Sequence, residues 1–243
     1  MTINNPRSSE ENVKYLRELA TETHYIYRGV DINNKHDFDE VKFEIWAPEE
    51  DTAVYYGRYK SPAMGVTRSE DRRRKPKLLE YIPPAGVDAG AFYNLIEGRR
   101  KYVDALLSID QAKNNTSIVF CMEWRGWRLL FTGDAEIKSW KIMRDKNVLK
   151  PIHFLKISHH GSNNGTPPDK ILEKILPEDR KNDNRPRQAV VSTYANTHHG
   201  VPDADTLIRI YDPASGENQP RCDQLFRVDE NFEELYLDIK FPG

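Results

Sequence analysis

At 243 residues the chain is long enough for one large domain or two small ones, and for burying roughly 70% of its unfolded surface. Charged residues make up 30%, hydrophobic ones 38% and aromatics 10%, a globular mix and not a disordered one. Lys+Arg 36 against Asp+Glu 38 leaves a net charge of -2, which excludes a global attraction to nucleic acid or anionic lipid. A mean hydropathy of -0.75, without an apolar run near the roughly 18 residues a span needs, excludes a transmembrane helix.

Met1 to Glu10 lacks the basic and apolar blocks of a secretory signal. Cys121 and Cys222 are the only cysteines, too few for a disulfide framework or a cysteine zinc site. The expectation is a soluble cytoplasmic domain with no membrane contact.

Ser8-Ser9-Glu10-Glu11 opens a helix: a hydroxyl cap, acidic residues in the first turn, then Val13, Leu16, Leu19 and Ala20 on one face, ending near Glu22. Tyr25–Tyr27 and Val41–Trp46 have strand character, the second closed by Pro48. From 52 to 90, Pro62, Gly65, Pro76, Pro83, Pro84, Gly86 and Gly90 break every periodicity, which predicts a long irregular insertion. A helix is expected over 91–108. Ser117–Trp124 and Trp127–Phe131 then flank Arg125-Gly126, a two-residue hairpin turn.

Successive strand-to-helix units follow. Leu129–Phe131 runs through Thr132-Gly133-Asp134 into a helix over 135–144. Ile152–Ile157 runs through Ser158-His159-His160-Gly161-Ser162 into a helix over 168–176. Ala189–Ser192 runs through Tyr194-Ala195-Asn196-Thr197-His198-His199-Gly200 into a helix over 203–211. Final strands are expected at Gln224–Arg227 and Glu234–Ile239.

Carboxyl ends of strands in α/β folds are where ligands bind, because the following helix presents its N-terminus there and the loops are free to vary. Here those ends carry Asp134, His159 with His160, and His198 with His199, so two turns hold four of the seven histidines. Imidazole and carboxylate suit zinc, manganese or iron. Taken singly, each turn has an ordinary explanation: Asp134 as a cap for the next helix, the histidine pairs as solvated loop residues. Their recurrence at equivalent positions is what points to a metal or phosphate site. His24 and His36 lack such a context and read as surface or satisfied core residues.

Asn115-Thr116-Ser117-Ile118-Val119, Phe131-Thr132-Gly133-Asp134, Leu155-Lys156-Ile157-Ser158-His159-His160-Gly161-Ser162, and Asn196 with His199 before Pro202 resemble the metallo-β-lactamase superfamily. Tyr15–Ala20 and Phe43–Asp51 extend the resemblance over most of the chain, and its nearest branch is the soluble domain of DNA-uptake competence proteins. The resemblance implies an α/β chain forming the C-terminal part of an αββα sandwich, with two divalent metals, zinc or alternatively manganese, along one edge. Asp134 then matches the metal-bridging aspartate, and His159 or His160 the histidine on the second metal. His159 is favoured because it leaves the strand first, with His160 behind it or facing substrate. His199 matches a histidine that protonates a leaving group, and Asn196 a residue that polarises a phosphoryl oxygen.

The family's His-x-His-x-Asp-His signature is missing. His24 precedes Tyr25-Ile26-Tyr27, His36 precedes Asp37-Phe38-Asp39, and no histidine lies between His36 and His153. In the family that signature precedes the segment resembling residues 12–50. The expectation is a single domain over 1–243, incomplete at its N-terminus and inactive alone, with a protein partner or upstream segment supplying the missing half.

The reaction implied is metal-dependent hydrolysis, tilted toward phosphodiesters and nucleic acid; the alternative is a non-catalytic binding or assembly module. A structural protein using the histidine turns only as helix caps is the third reading. Arg58, Lys60, Arg68, Arg72, Arg73, Arg74, Lys75 and Lys77, with Tyr55, Tyr56 and Tyr59 beside them, suit a phosphate backbone with stackable bases, or else form a solvated charged loop.

Overall fold

The computed structural model describes residues 9–56, 112–180, 183–193, 200–211, 220–228 and 239–241. They form a mixed α/β structure around a six-stranded sheet in the order β1-β2-β3-β4-β5-β6. The strands are β1 (Val41–Ala47), β2 (Val119–Trp124), β3 (Trp127–Phe131), β4 (Phe154–Lys156), β5 (Gln188–Val191) and β6 (Gln224–Arg227). The helices are α1 (Ser9–Leu19), α2 (Ala53–Tyr56), α3 (Ile137–Asp145), α4 (Asp169–Ile175) and α5 (Ala204–Ile210).

β1, β2 and β3 pair antiparallel, and β3 through β6 run parallel. Arg125 and Gly126 both take positive φ (48° and 81°), the two-residue turn geometry whose twist matches the strands it joins. Parallel strands need crossovers, and α3, α4 and α5 supply them between successive strands. All the carboxyl ends of β3, β4 and β5 therefore lie along one edge of the sheet.

Alternation along each strand divides its side chains between two faces. Cys121, Leu130, Leu155, Ala189 and Val191 join Trp140, Met143, Leu172 and Ile210 in the main core. An irregularity between Ile45 and Ala47 puts both Trp46 and Ala47 into that core. Trp127, Leu129 and Phe154 form a second cluster, joined by the partly buried Met122, Trp124, Phe131, Val190, Ile239 and Phe241. The sheet is thus apolar on both faces. No helix among the described residues is long and apolar enough to cross a membrane.

Several elements depart from the sequence expectation. Tyr25–Tyr27 is not a strand; among the described residues its neighbourhood is tied instead by Arg28, which donates to both carboxylate oxygens of Glu49 at 2.6 Å and from its backbone to Pro48 O at 2.7 Å. The helix expected to end near Glu22 stops at Leu19, and its apolar stripe is exposed, with Val13, Leu16 and Leu19 all more than half accessible. The region 52–90 begins with a regular turn: α2 buries Tyr55, whose hydroxyl accepts from the backbone N–H of Glu49 at 3.0 Å. Tyr55 is therefore a core residue and not a platform for stacking bases. The basic stretch 58–77, the helix expected over 91–108 and most of the strand expected at 234–239 lie outside the described residues.

Candidate functional site at the strand ends

The turn after β3 is shaped by Gly133, at φ 53°, where a Cβ would come within 2.9 Å of Ser117 Cβ. Ser117 Oγ in turn accepts from the backbone N–H of Asp134 at 3.1 Å, and the buried Thr132 donates from Oγ1 to Lys156 O at 2.7 Å. This joins the turn to both of its neighbouring strands. Asp134 does not cap the next helix: the N-cap of α3 is Glu136, without a side-chain cap bond, and Asn115 Oδ1 takes the N–H of Ser139 at 2.7 Å in its place.

The turn after β4 is unusual in its backbone. His159, His160 and Gly161 all lie in the left-handed region, at φ 46°, 55° and 79°. Glycine adopts this freely, whereas each histidine costs about 1–2 kcal/mol. The tertiary structure holds them there through His159 N–H to Gly133 O (3.2 Å), Gly161 N–H to Ser158 O (2.9 Å) and Asp203 N–H to Gly161 O (2.9 Å). Gly161 is enclosed, since a Cβ would meet Pro202 Cβ at 2.9 Å and Val191 Cγ2 at 3.0 Å. Trp140, buried in α3, donates from Nε1 to Gly165 O at 2.8 Å and braces the far side of the loop.

The consequence is that the two histidines point to different acids. His160 sits with Nε2 4.0 Å from Asp134 Oδ1, both side chains about 45% exposed. His160 Nδ1 is 2.6 Å from Ser192 O, and because a carbonyl only accepts, Nδ1 carries a proton; in the neutral ring Nε2 then presents its lone pair on the Asp134 side. His159 is turned inward: its Nδ1 is 3.3 Å from Oε1 of the buried Glu136, without hydrogen-bond geometry, and is otherwise unpartnered. Asn114 Nδ2 donates to that same Glu136 oxygen at 2.8 Å.

Lys156 completes the edge, with Nζ 3.3 Å from Gly133 O. Burial pushes its pKa below the ordinary lysine value, and the charge of Asp134 opposes that shift without cancelling it.

The structure thus brings Asp134 together with His160 rather than with His159, which pairs with Glu136. His199 and Asn196 lie outside the described residues. Glu136 was passed over at the sequence level because it reads as the first turn of a helix, and Lys156 because a single lysine in a strand carries no signal. The acid–histidine spacing Asp134-x-Glu136 against His159-His160 was the available clue.

The donor chemistry of Asp134 and His160 fits a divalent ion. Donors about 2.0–2.2 Å from one ion lie no more than about 4.4 Å apart, and the observed 4.0 Å falls inside that limit. The tautomer is also the one a metal-binding imidazole needs, with the remote nitrogen bound to a carbonyl. The number of donors is short of the usual three: among the described residues no group of three or more His, Cys, Asp or Glu side chains converges.

Comparison of the chain with protein-family models, with curated proteins and with solved structures yields no match.

Proposed function

We propose that this chain is a metallo-β-lactamase-like module of a metal-dependent hydrolase acting on phosphodiesters, and that Asp134 and His160 are its contribution to the metal site. The observation that carries this reading is the His160 side chain: a proton held on Nδ1 by Ser192 O, and Nε2 facing Asp134 across 4.0 Å, on a left-handed backbone uncommon for a non-glycine residue. Unfavourable backbone geometry that the surroundings maintain is found where function requires a fixed side-chain direction.

In this reading Asp134 and His160 would hold a divalent ion, which when bound would supply Lewis-acid chemistry for hydrolysis. The chain's own residues do the rest. Ser192 O keeps the His160 proton on Nδ1, which would leave Nε2 of the neutral ring for the ion. Lys156, beside Asp134, offers a cation to a substrate oxygen. His199 and Asn196 keep the roles that the resemblance implies for them, proton donation and polarisation. The remaining ligands come from a protein partner or further segment carrying the His-x-His-x-Asp-His run that the sequence lacks. The second apolar face of the sheet, where Trp127, Leu129 and Phe154 are buried, supports a layered arrangement of the αββα kind.

The shortage of donors favours a second reading, a non-catalytic binding or assembly module. Metal analysis separates the two. The full chain, equilibrated with zinc and then desalted, should carry near-stoichiometric metal; Asp134→Ala and His160→Ala should each lose it, while His159→Ala should retain most of it. Zinc content unaffected by both Asp134→Ala and His160→Ala would overturn the site. A metal-free wild-type chain moves the conclusion to the binding module.

A further inference from the structure

At the opposite edge of the sheet, where β3, β4 and β5 begin, lies an open cavity of about 1030 Å³. That is just above the range of volumes that hold small-molecule ligands, roughly 300–1,000 Å³. Its walls carry arginines 125, 128, 180, 185 and 187. Arg125, Arg180 and Arg185 are each tied to a carboxylate, Glu40, Asp223 and Asp183 respectively.

Arg128 and Arg187 are different. Arg128 donates from Nε to Pro151 O, and Arg187 from a terminal nitrogen to Pro177 O; among the described residues neither has a carboxylate oxygen within 4.0 Å. Arg187 is 3% exposed.

A buried cation is normally paired, because losing its hydration costs several kcal/mol that a carbonyl dipole alone does not return. Burial above all, and then the neighbouring Arg180, push Arg187 below the ordinary arginine pKa, while Cys222, Asp183 and Asp223 oppose that shift without cancelling it. Of the neighbouring carboxylates, Asp183 receives Arg185 and His153, Glu173 receives Arg221, and Asp223 receives the Arg180 guanidinium and the backbone N–H of Arg187; Asp179 also lines the cavity. The guanidiniums that are tied to carboxylates give the walls a rigid frame. Arg185 lies over Trp127 at 5.7 Å, and Trp127 meets His153 edge-on at 5.3 Å.

We infer that this cavity is a binding site for a phosphate dianion, held by Arg128 and Arg187, with the remaining volume taken by the group that carries the phosphate. Arginine forks match phosphoryl oxygens in geometry as well as charge. The two cations come from different walls, the start of β3 and the approach to β5. A tetrahedral phosphate presents acceptors in both directions, whereas a carboxylate presents them in one plane. The site is distinct from the Asp134–His160 edge and does not depend on the metal reading.

The test uses the full chain in EDTA, so that phosphate has no metal to bind. Thermal midpoint is measured against sodium phosphate at pH 7.5, with sodium chloride at matched ionic strength as control. Expected is a saturable rise with phosphate beyond the chloride control. Arg187→Met should abolish it, Arg128→Ala should weaken the apparent affinity about tenfold or more, and Asp134→Ala should leave it intact.

Should Arg187→Met fail to fold, wild type and Arg128→Ala still decide the matter. Absence of a phosphate-specific rise in the wild type, or a rise unchanged in the substituted chains that fold, overturns the site. A 5′-phosphorylated trinucleotide set beside its 5′-hydroxyl form then distinguishes the sources. Displacement of phosphate by the phosphorylated form alone assigns a nucleic-acid end, and displacement by neither assigns a phosphorylated small molecule.

Discussion

Gly133 and the His159-His160 pair show how single residues decide the geometry of the edge. Gly133 has both a positive φ and no room for a Cβ, with Ser117 Cβ 2.9 Å from where one would stand. Gly133→Ala should therefore cost about 1–3 kcal/mol of stability and displace Asp134, whose N–H is bound to Ser117 Oγ. Chemical denaturation checks the first effect and zinc retention the second; a substituted chain as stable as the parent would show that the turn relaxes without cost.

Which histidine faces Asp134 is decided by backbone sign. With φ 46° and 55° in succession, the chain turns His159 under the loop toward Glu136 and swings His160 over Asp134. A histidine pair in a sequence carries no information on that choice, because the left-handed conformation is imposed by bonds to Gly133, Ser158 and Asp203 rather than by the residues themselves.

At the scale of elements, α3 couples the core to the site. Trp140 is fully buried in it and donates to Gly165 O, while a Cβ on Gly165 would meet His159 Cβ at 2.8 Å. Trp140→Phe removes that donor and leaves a small void, so it should destabilise the chain by about 1–3 kcal/mol and loosen the histidine loop. Faster amide exchange at 159–165 than at β3, beyond the change in global stability, would be the signature; equal acceleration everywhere would show that Trp140 acts through the core alone.

Strand and helix positions in the second half were legible because strand-turn-helix units repeat with clear turn residues. The hairpin at Arg125-Gly126, β3 and β6 fall where the residue pattern puts them. Tyr25–Tyr27 failed because alternation over a few residues is not a strand without a neighbour to pair with, and the local bonds of Arg28 go to Glu49 and Pro48. Tyr55 was misjudged because burial of a tyrosine beside a charged stretch depends on a partner, the Glu49 N–H, several residues away.

At the scale of the whole molecule, a pH dependence of stability follows from the entrance to β4. His153 is 2% exposed, accepts the Arg128 N–H at Nδ1 (2.9 Å) and meets Asp183 Oδ2 at Nε2 (2.8 Å). Burial, more than Asp183 opposes it, holds its pKa below the ordinary histidine value. The hydrogen bond from Arg185 above all, with further help from His153, holds Asp183 well below the usual carboxylate range.

Both folded-state values are depressed, so the unfolded chain takes up these protons first as pH falls, and stability is lost on acidification. The His153 contribution disappears below about pH 6.5, and that of Asp183 only below about pH 4. The thermal midpoint should thus fall between pH 7.5 and 5.5, and fall less in His153→Gln. An identical decline in both chains would remove His153 as the cause.

The sequence by itself determined the α/β class, the succession of strand-to-helix units and the gathering of Asp134, His159 and His160 at strand ends, because hydrophobic period and turn chemistry are local properties that neighbouring residues specify. Only the tertiary structure decided which histidine meets which acid, that Tyr55 is core, and that Arg128 and Arg187 line a cavity without a carboxylate partner among the described residues. Those outcomes depend on groups far apart in the chain, and on where burial makes an unpaired charge costly, which residue order alone does not encode.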